Sequence, residues 1–285
     1  MEGKLNIRTM RTADLGFAAI CTEREGWAGE TRQSFEGFLA YDPNGCFLAE
    51  VGGQPTGICV ATFYGQYGFI GELIVNPESR GRGLGCRLLD HAIGYLQGRG
   101  ARSIYLDGVQ TAISLYERAG FRKICLSLRF GRILSGGSHP QVRRMASVDL
   151  DQVARLDEQV FGADRSFFLR RKWSLFPKLC RVVEHEGEVA GYIFGWRGKG
   201  MLALGPWVVL PQIDRPDSLL ESLASETPDA KVTLGVLESN VQAVNLLRSL
   251  GFTEGKTPPW RMVLGPSQRL GDSPCCYGLG SPAKG

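Results

Sequence analysis

The chain has 285 residues, 43% hydrophobic and 22% charged, the profile of a folded protein with room for two ordinary domains. A formal charge of +4, with arginines scattered rather than gathered, argues against nucleic acid as the main ligand, and no apolar run approaches the roughly 18 residues of a membrane span. The opening "MEGKLNIRTMRTADL" lacks the apolar core of a signal peptide, and eight cysteines form no CxxC pair, so a cytoplasmic protein with reduced thiols and no metal site is expected.

In chain order, an opening strand passes through a polar "TAD" cap into a helix. "CFLAEVGGQPTG", Cys46 to Gly57, reads as two strands joined at "GGQP", a hairpin. The strand "GELIVNP" runs into a glycine-rich stretch, after which Leu88, Leu89, Ala92, Ile93 and Leu96 share one face of a helix ended by Gly98 or Gly100. "SIYLD" is a short buried strand, "TAISLYERAG" a short helix closed by Gly120, and "FRKICLSLRF" a final strand. The class is α/β.

The pattern is then written again. "IRTMRTADL" at Ile7 is echoed by "VRRMASVDL" at Val142, "CFLAEVGGQPTG" by "CRVVEHEGEVAG" at Cys180, Pro77 by Pro211, and "RAGF" ending at Phe121 by "SLGF" ending at Phe252. Landmarks in one order at a nearly constant offset imply two copies of one domain, residues 1–135 and 136–285, joined near the Gly- and Ser-rich "GRILSGGSHP", Gly131 to Pro140.

Between Ile74 and Ala92 stands "IVNPESRGRGLGCRLLDHA". A strand ending in a glycine-rich turn that opens a helix leaves backbone N–H groups unpaired at the positive end of the helix dipole, which suits an anion. Gly81, Gly83 and Gly85 let a phosphate approach the main chain, and Arg80 and Arg82 add charge. The turn is neither a P-loop, since no lysine follows, nor a dinucleotide fingerprint, which needs a glycine where Cys86 stands.

Arg80, Gly83 and Gly85 do fit R/Q-x-x-G-x-G/A, and "AISLYERAGF" fits A-x-x-L-Y-x-x-x-G-F. In these motifs, and in the order of their neighbours, the sequence resembles the GNAT (Gcn5-related) N-acetyltransferase family, and in "EGW" at Glu25 and the ending "YGLGSPAKG" a bacterial subgroup with two such domains. The resemblance implies two domains, each with a mixed, mostly antiparallel central sheet flanked by helices and a splayed fourth and fifth strand. It implies acetyl-CoA as cofactor, with pantetheine along Leu73, Ile74 and Val75 and pyrophosphate on Arg80, Gly81, Arg82, Gly83, Leu84 and Gly85. Tyr116 becomes the general acid toward the coenzyme sulfur, a phenol and a thiol being close enough in pKa for transfer. Glu72 and Asp107 are both candidates for the general base, while Glu25 and Trp27, with Glu23 and Glu30, lie where the family covers its acceptor. The family's asparagine seven residues before the tyrosine is Val109 here.

The second copy has "QIDRPDS", with Pro216 and two aspartates, in place of the glycine turn, and Leu247 in place of the tyrosine, although Asn240 is kept. Acidic side chains would repel phosphates there. The expectation is therefore direct acetyl transfer to a small-molecule or peptide amine in the first copy, with a degenerate second copy that shapes the structure or the substrate. One form of that role is lending a strand to the first domain, or a cover to its acceptor cleft, from "PWRMVLG" or the "CCYGLG" tail. The other readings are a non-catalytic acyl-CoA-binding sensor and transfer to a hydroxyl. No membrane or nucleic-acid partner is expected, and because an internal duplication can stand in for a dimer, a monomer is favoured over a homodimer.

Overall fold

The computed structural model describes residues 4–27, 29–134, 139–227, 229–267 and 270–285. The chain folds as two compact units: residues 1–124 with 260–268 and Lys284, and residues 125–259 with 269–283 and Gly285.

In the first unit β1 (Leu5–Thr9), β2 (Cys46–Val51), β3 (Gln54–Tyr64) and β4 (Tyr67–Val75) form an antiparallel meander, and β4 then pairs in parallel with β5 (Ser103–Gly108). The hairpin expected at "GGQP" turns on Gly52 and Gly53, both with positive φ (59° and 80°), a geometry that suits glycine. Helices α1 (Leu15–Arg24) and α2 (Arg32–Tyr41) follow β1, α3 (Leu84–Gly98) joins β4 to β5, and α4 (Ile113–Arg118) follows β5. Leu88, Leu89, Ala92 and Leu96 of α3 pack on Cys59, Ala61, Ile70, Ile104 and Leu106. Ile58 and Val60 alternate with that set and are equally buried, because α1 lies against β3 and β4.

The sheet's last strand comes from far along the chain. Trp260–Leu264, within "PWRMVLG", forms a strand antiparallel to β5, with Arg261 opposite Asp107 and Met262 opposite Leu106. The strand expected from "FRKICLSLRF", β6 (Arg122–Ile133), pairs instead in the second unit, with Lys231–Leu237. β6 also absorbs Gly131 to Ile133, which the composition assigned to a linker: Gly131 has ladder partners on both neighbouring strands, and backbone hydrogen bonding overrides its weak strand propensity. Residues 135–138 of that expected linker lie outside the described residues.

The second unit repeats the plan. Strands β7 (Val142–Arg144), β8 (Cys180–His185), β9 (Glu188–Gly198) and β10 (Met201–Val209) are antiparallel, and β10 pairs in parallel with β11 (Lys231–Leu237), which pairs with β6. Helices α5 (Leu150–Phe161), α6 (Ser166–Leu175), α7 (Ser218–Ala224) and α8 (Val241–Ser249) correspond in chain order to α1 to α4. The short β12 (Thr253–Glu254) lies on β6, the borrowed strand Trp260–Leu264 is β13, and β14 (Cys276–Gly278) lies on β10. Of the two segments expected to lend a strand, "PWRMVLG" joins the first unit and "CCYGLG" stays in the second as β14. β10 and β11 diverge beyond Leu204 and Leu234, and the tail fills the opening, with Val209 donating to the Cys275 carbonyl (3.0 Å) and Leu279 to that of Gly235 (2.8 Å).

The duplication extends to side-chain detail. Arg8 Nη1 meets Asp14 Oδ2 at 2.7 Å, Arg143 Nη1 meets Asp149 Oδ2 at 2.7 Å, and each arginine also holds a glutamate of the following hairpin, Glu50 or Glu184. Asp14 and Asp149 accept from the Arg11 and Ala146 amides at 2.7 Å each, so each carboxylate caps the turn entering a helix. The arginine hydrogen bonds hold both aspartates below the usual carboxylate range. A depressed carboxylate stabilises the fold above its unfolded pKa and loses that contribution as pH falls. Asp14→Asn with Asp149→Asn should therefore lower Tm at pH 7 by about 2–6 °C. That gap should close as melting is repeated at pH values below about 4.

Candidate active site

The parallel ladder of β4 and β5 runs from Tyr67–Ser103 to Ile70–Leu106 and stops. Beyond it, among the described residues, β4 pairs only with β3. Val60 faces Gly71 and Ile58 faces Ile74, so Glu72 and Leu73 stand opposite Cys59 alone, a β-bulge. Glu72 takes a left-handed backbone (φ 51°), which is strained for a side chain of its kind. The bulge buries its carboxyl, 4% exposed, with Oε2 lacking a hydrogen-bond partner among the described residues. Desolvation first, and then Glu30, push that carboxyl well above the usual range, opposed by Lys284.

Beyond Val75, Gly81 and Gly83 both adopt positive φ (78° and 77°), which is why glycine stands at these positions. Gly83, which has no side chain to cap with, is the N-cap of α3, and a helix start of that kind suits an anion. Arg80 donates from Nε to the Val75 carbonyl (2.9 Å) and pairs with Glu25, which is thereby tied to the turn. Trp27, half-buried, closes the bend after α1 through its amide on the Thr22 carbonyl (2.9 Å). Tyr116 is buried on α4 with its ring against β5, where a Cβ on Gly108 would lie 2.9 Å from it. Burial raises its phenol above the ordinary tyrosine value, with a smaller contribution from Cys59. Glu72 thus stands on one of the diverging strands, and Tyr116 reaches the other from α4.

Asp107, the other base candidate, is held differently. Arg261 Nε meets its Oδ1 at 2.6 Å, both side chains are 1% exposed, and the Arg261 guanidinium lies 5.0 Å from the Phe69 ring centroid. Arg261 was not among the residues singled out from the sequence, nor was Lys284, whose ammonium lies 4.0 Å from Glu30 Oε1 and 4.5 Å over the Phe38 ring. No short-range pattern links either to its partners.

The equivalent place in the second unit is closed. Gly205 and Pro206 form its bulge, opposite Phe194, and a Cβ on Gly205 would lie 1.9 Å from the Leu279 carbonyl oxygen. Asn240 caps α8 by accepting from the Ala243 amide (3.0 Å) and donates to the Cys276 carbonyl (2.9 Å), pinning the tail. At the start of α7, Arg215 joins Asp217 (2.6 Å) and Glu221 (2.8 Å), so charge there is matched internally. No cluster among the described residues is placed to hold a metal ion, all eight cysteines are free, and no helix is long and apolar enough to cross a membrane.

A sheet splayed at a parallel pair, with a glycine turn opening a helix where its fourth strand ends, is the plan of the first unit, and the second repeats the sheet without the turn. The model of the acetyltransferase (GNAT) family matches residues 14–121 and that of an acetyltransferase (GNAT) domain matches residues 153–278. The chain belongs to the GNAT acetyltransferase family, with two of its domains in tandem. It is similar to holothin acyltransferase of a Pseudoalteromonas species, 25% identical over 227 residues that span 77% of this chain and 74% of that protein. A putative acetyltransferase from Pyrococcus horikoshii has the same fold, at TM-score 0.81 and 22% identity over 99% of this chain and 96% of that one. So does a tandem GNAT protein from the clavulanic acid biosynthesis pathway, at TM-score 0.64 and 15% identity over 93% and 100%.

The Asp107–Arg261 pair makes Asp107 structural before anything else. Removing one partner of a buried pair strands the other charge, so Asp107→Leu should cost about 3–5 kcal/mol in denaturant unfolding. Adding Arg261→Met should recover most of that loss.

Proposed function

We propose that the first unit transfers an acetyl group from acetyl-CoA directly to a primary amine of a small molecule or peptide. In this reading the catalytic residues lie within 1–135, and 136–285 is a non-catalytic copy that also supplies β13. The observation that carries it is the contrast between the two splays. In the second unit a strand of the tail fills the opening, whereas in the first the β4 edge from Glu72 to Val75 leads to an uncapped helix start between arginines. An arm with amide groups ending in a pyrophosphate suits that edge and that turn.

When bound, acetyl-CoA supplies an acyl thioester. Leu73, Ile74 and Val75 offer main-chain groups to the pantetheine arm, and the amides of Gly81 to Gly85, with Arg80 and Arg82, hold the pyrophosphate. Glu25 steadies Arg80. Glu72, raised by burial, accepts a proton from the acceptor ammonium, directly or through water, and Tyr116 gives its proton to the departing sulfur. Asp107 keeps Arg261 in place rather than acting as the base.

Calorimetry should show one acetyl-CoA site, lost in Gly83→Glu and kept in Tyr116→Phe, the latter slowing thiol release by about 10²–10⁴-fold. Because the base must be ionised, kcat/KM should fall as pH falls through the raised pKa of Glu72, well above the usual carboxylate range. Glu72→Gln should slow transfer and flatten that limb; binding of coenzyme with no release of thiol to any amine would leave the sensor reading instead.

A further inference from the structure

Among the described residues of the first unit, four buried side-chain atoms find no hydrogen-bond partner: Thr62 Oγ1, Glu72 Oε2 and both terminal nitrogens of Arg261, Nη1 and Nη2. The strand register sets Arg261 at the end of the parallel ladder. That ladder closes with Phe69–Tyr105 and Ile70–Leu106. Asp107 is the next residue on β5, Arg261 lies opposite it on β13, and the guanidinium reaches to 5.0 Å from the Phe69 ring centroid on β4. Its charged head therefore touches both strands where they part. Thr62, the cross-strand partner of Phe69 on β3, shares that face of the sheet. Met262, beside Arg261, serves the other face, where a Cβ on Gly108 would lie 3.2 Å from its sulfur and 2.9 Å from the Tyr116 ring. Glu72 stands three positions beyond Phe69 on β4, about 10 Å along the strand.

A guanidinium carries five N–H donors, and the contact with Asp107 Oδ1 at 2.6 Å is made by Nε. With the side chain 1% exposed, Nη1 and Nη2 are stripped of bulk water and unmet by protein, a costly state that calls for a polar partner. The two nitrogens form a fork whose spacing matches the two oxygens of a carboxylate. Asp107 already balances the arginine charge, so a second carboxylate is best seated there when it brings a cation of its own. An acceptor ammonium facing Glu72 is that cation. We propose that the acceptor of the first unit is an aminocarboxylate, its carboxylate held end-on by Arg261 Nη1 and Nη2 and its amine turned toward Glu72; this rests on the acetyl-transfer reading above. Thr62 Oγ1 is a further donor on the same face. The strand length of about 10 Å between Phe69 and Glu72 sets the two charged ends several bonds apart, which selects a short peptide or an ω-amino acid over an α-amino acid. Asp107 is then a positioning residue: through Nε it fixes the plane in which the fork lies, with the Phe69 ring beneath it.

The test is calorimetry on the full chain saturated with coenzyme A, the unreactive thiol product, using glycine, γ-aminobutyrate and glycylglycine, each matched with its own C-terminal amide. At least one of the two longer acids should bind about tenfold or more tightly than its amide. Arg261→Lys keeps a cation beside Asp107 but not the fork, and should bring each acid and its amide within about twofold of one another while coenzyme binding is unchanged. A purely structural arginine would shift acid and amide alike and leave their ratio as it was. Equal affinity of acid and amide in every pair, or no binding by any of the acids, overturns the proposal, and because these are wild-type measurements they decide it even where Arg261→Lys fails to fold. Coenzyme binding without a preference for acid over amide overturns this inference alone, whereas failure of the wild-type chain to bind coenzyme overturns the acetyl-transfer reading and this inference with it.

Discussion

The structure depends on one constraint: a parallel strand pair that diverges leaves main-chain donors and acceptors facing nothing. Buried backbone groups left unpaired are costly, so each opened edge must be met by something of peptide-like chemistry. In the second unit the chain itself meets it, through Cys276–Gly278 and the bonds of Val209 and Leu279 on either side. In the first unit the described chain offers no such strand to β4 beyond Ile70, and an amide-bearing arm is the complement that edge accepts. The same fold thus has an open edge in one copy, where the proposed coenzyme arm would lie, and a self-filled one in the other.

In the proposed reading the bulge serves both the coenzyme edge and the proton transfer. Holding Glu72 at positive φ costs of order 1–3 kcal/mol, and the return is a carboxyl turned out of the ladder into a dry place where it binds a proton more tightly. At the second bulge stands Gly205, with φ 127°, and the Leu279 carbonyl occupies the space a side chain would need. Once the tail entered that splay, no glutamate fitted beside it. The filled edge, the glycine in place of glutamate and the missing glycine turn therefore go together in the second unit, where Asn240 holds the tail.

What the sequence disclosed follows from the range of the interactions involved. The repeat, the hairpins and the α3 face are local patterns with a period, and the glycine turn is legible because Gly81 and Gly83 are confined by their own backbone angles. Tyr116 and Glu72 were reached through motif order, although the bulge that gives Glu72 its character is invisible in "GELIVNP". The strand lent from "PWRMVLG" to the first domain was one of two candidates the sequence offered, but the departure of β6 into the second unit was beyond local reading, since a strand's propensity does not say which edge it joins. Arg261 and Lys284 were beyond it for the same reason: each meets partners more than a hundred positions away, through contacts that only the closed fold creates.

The retention of a copy that has lost its coenzyme features has a physical reason in the first unit's sheet. Residues 1–135 alone would leave β5 without the antiparallel neighbour that covers its edge, and would leave Asp107 buried with no cation. Met262, wholly buried, packs with Leu106 and Tyr116, so the same strand supports the tyrosine that donates the proton in the proposed reaction. A buried ion pair adds little net stability over an apolar pair of the same shape, but it fixes which strand binds and in which register, because only one alignment sets Arg261 opposite Asp107. In the proposed reading the second copy is free of that chemistry, while β13 stays constrained by the first unit's sheet, whose edge its register with β5 completes.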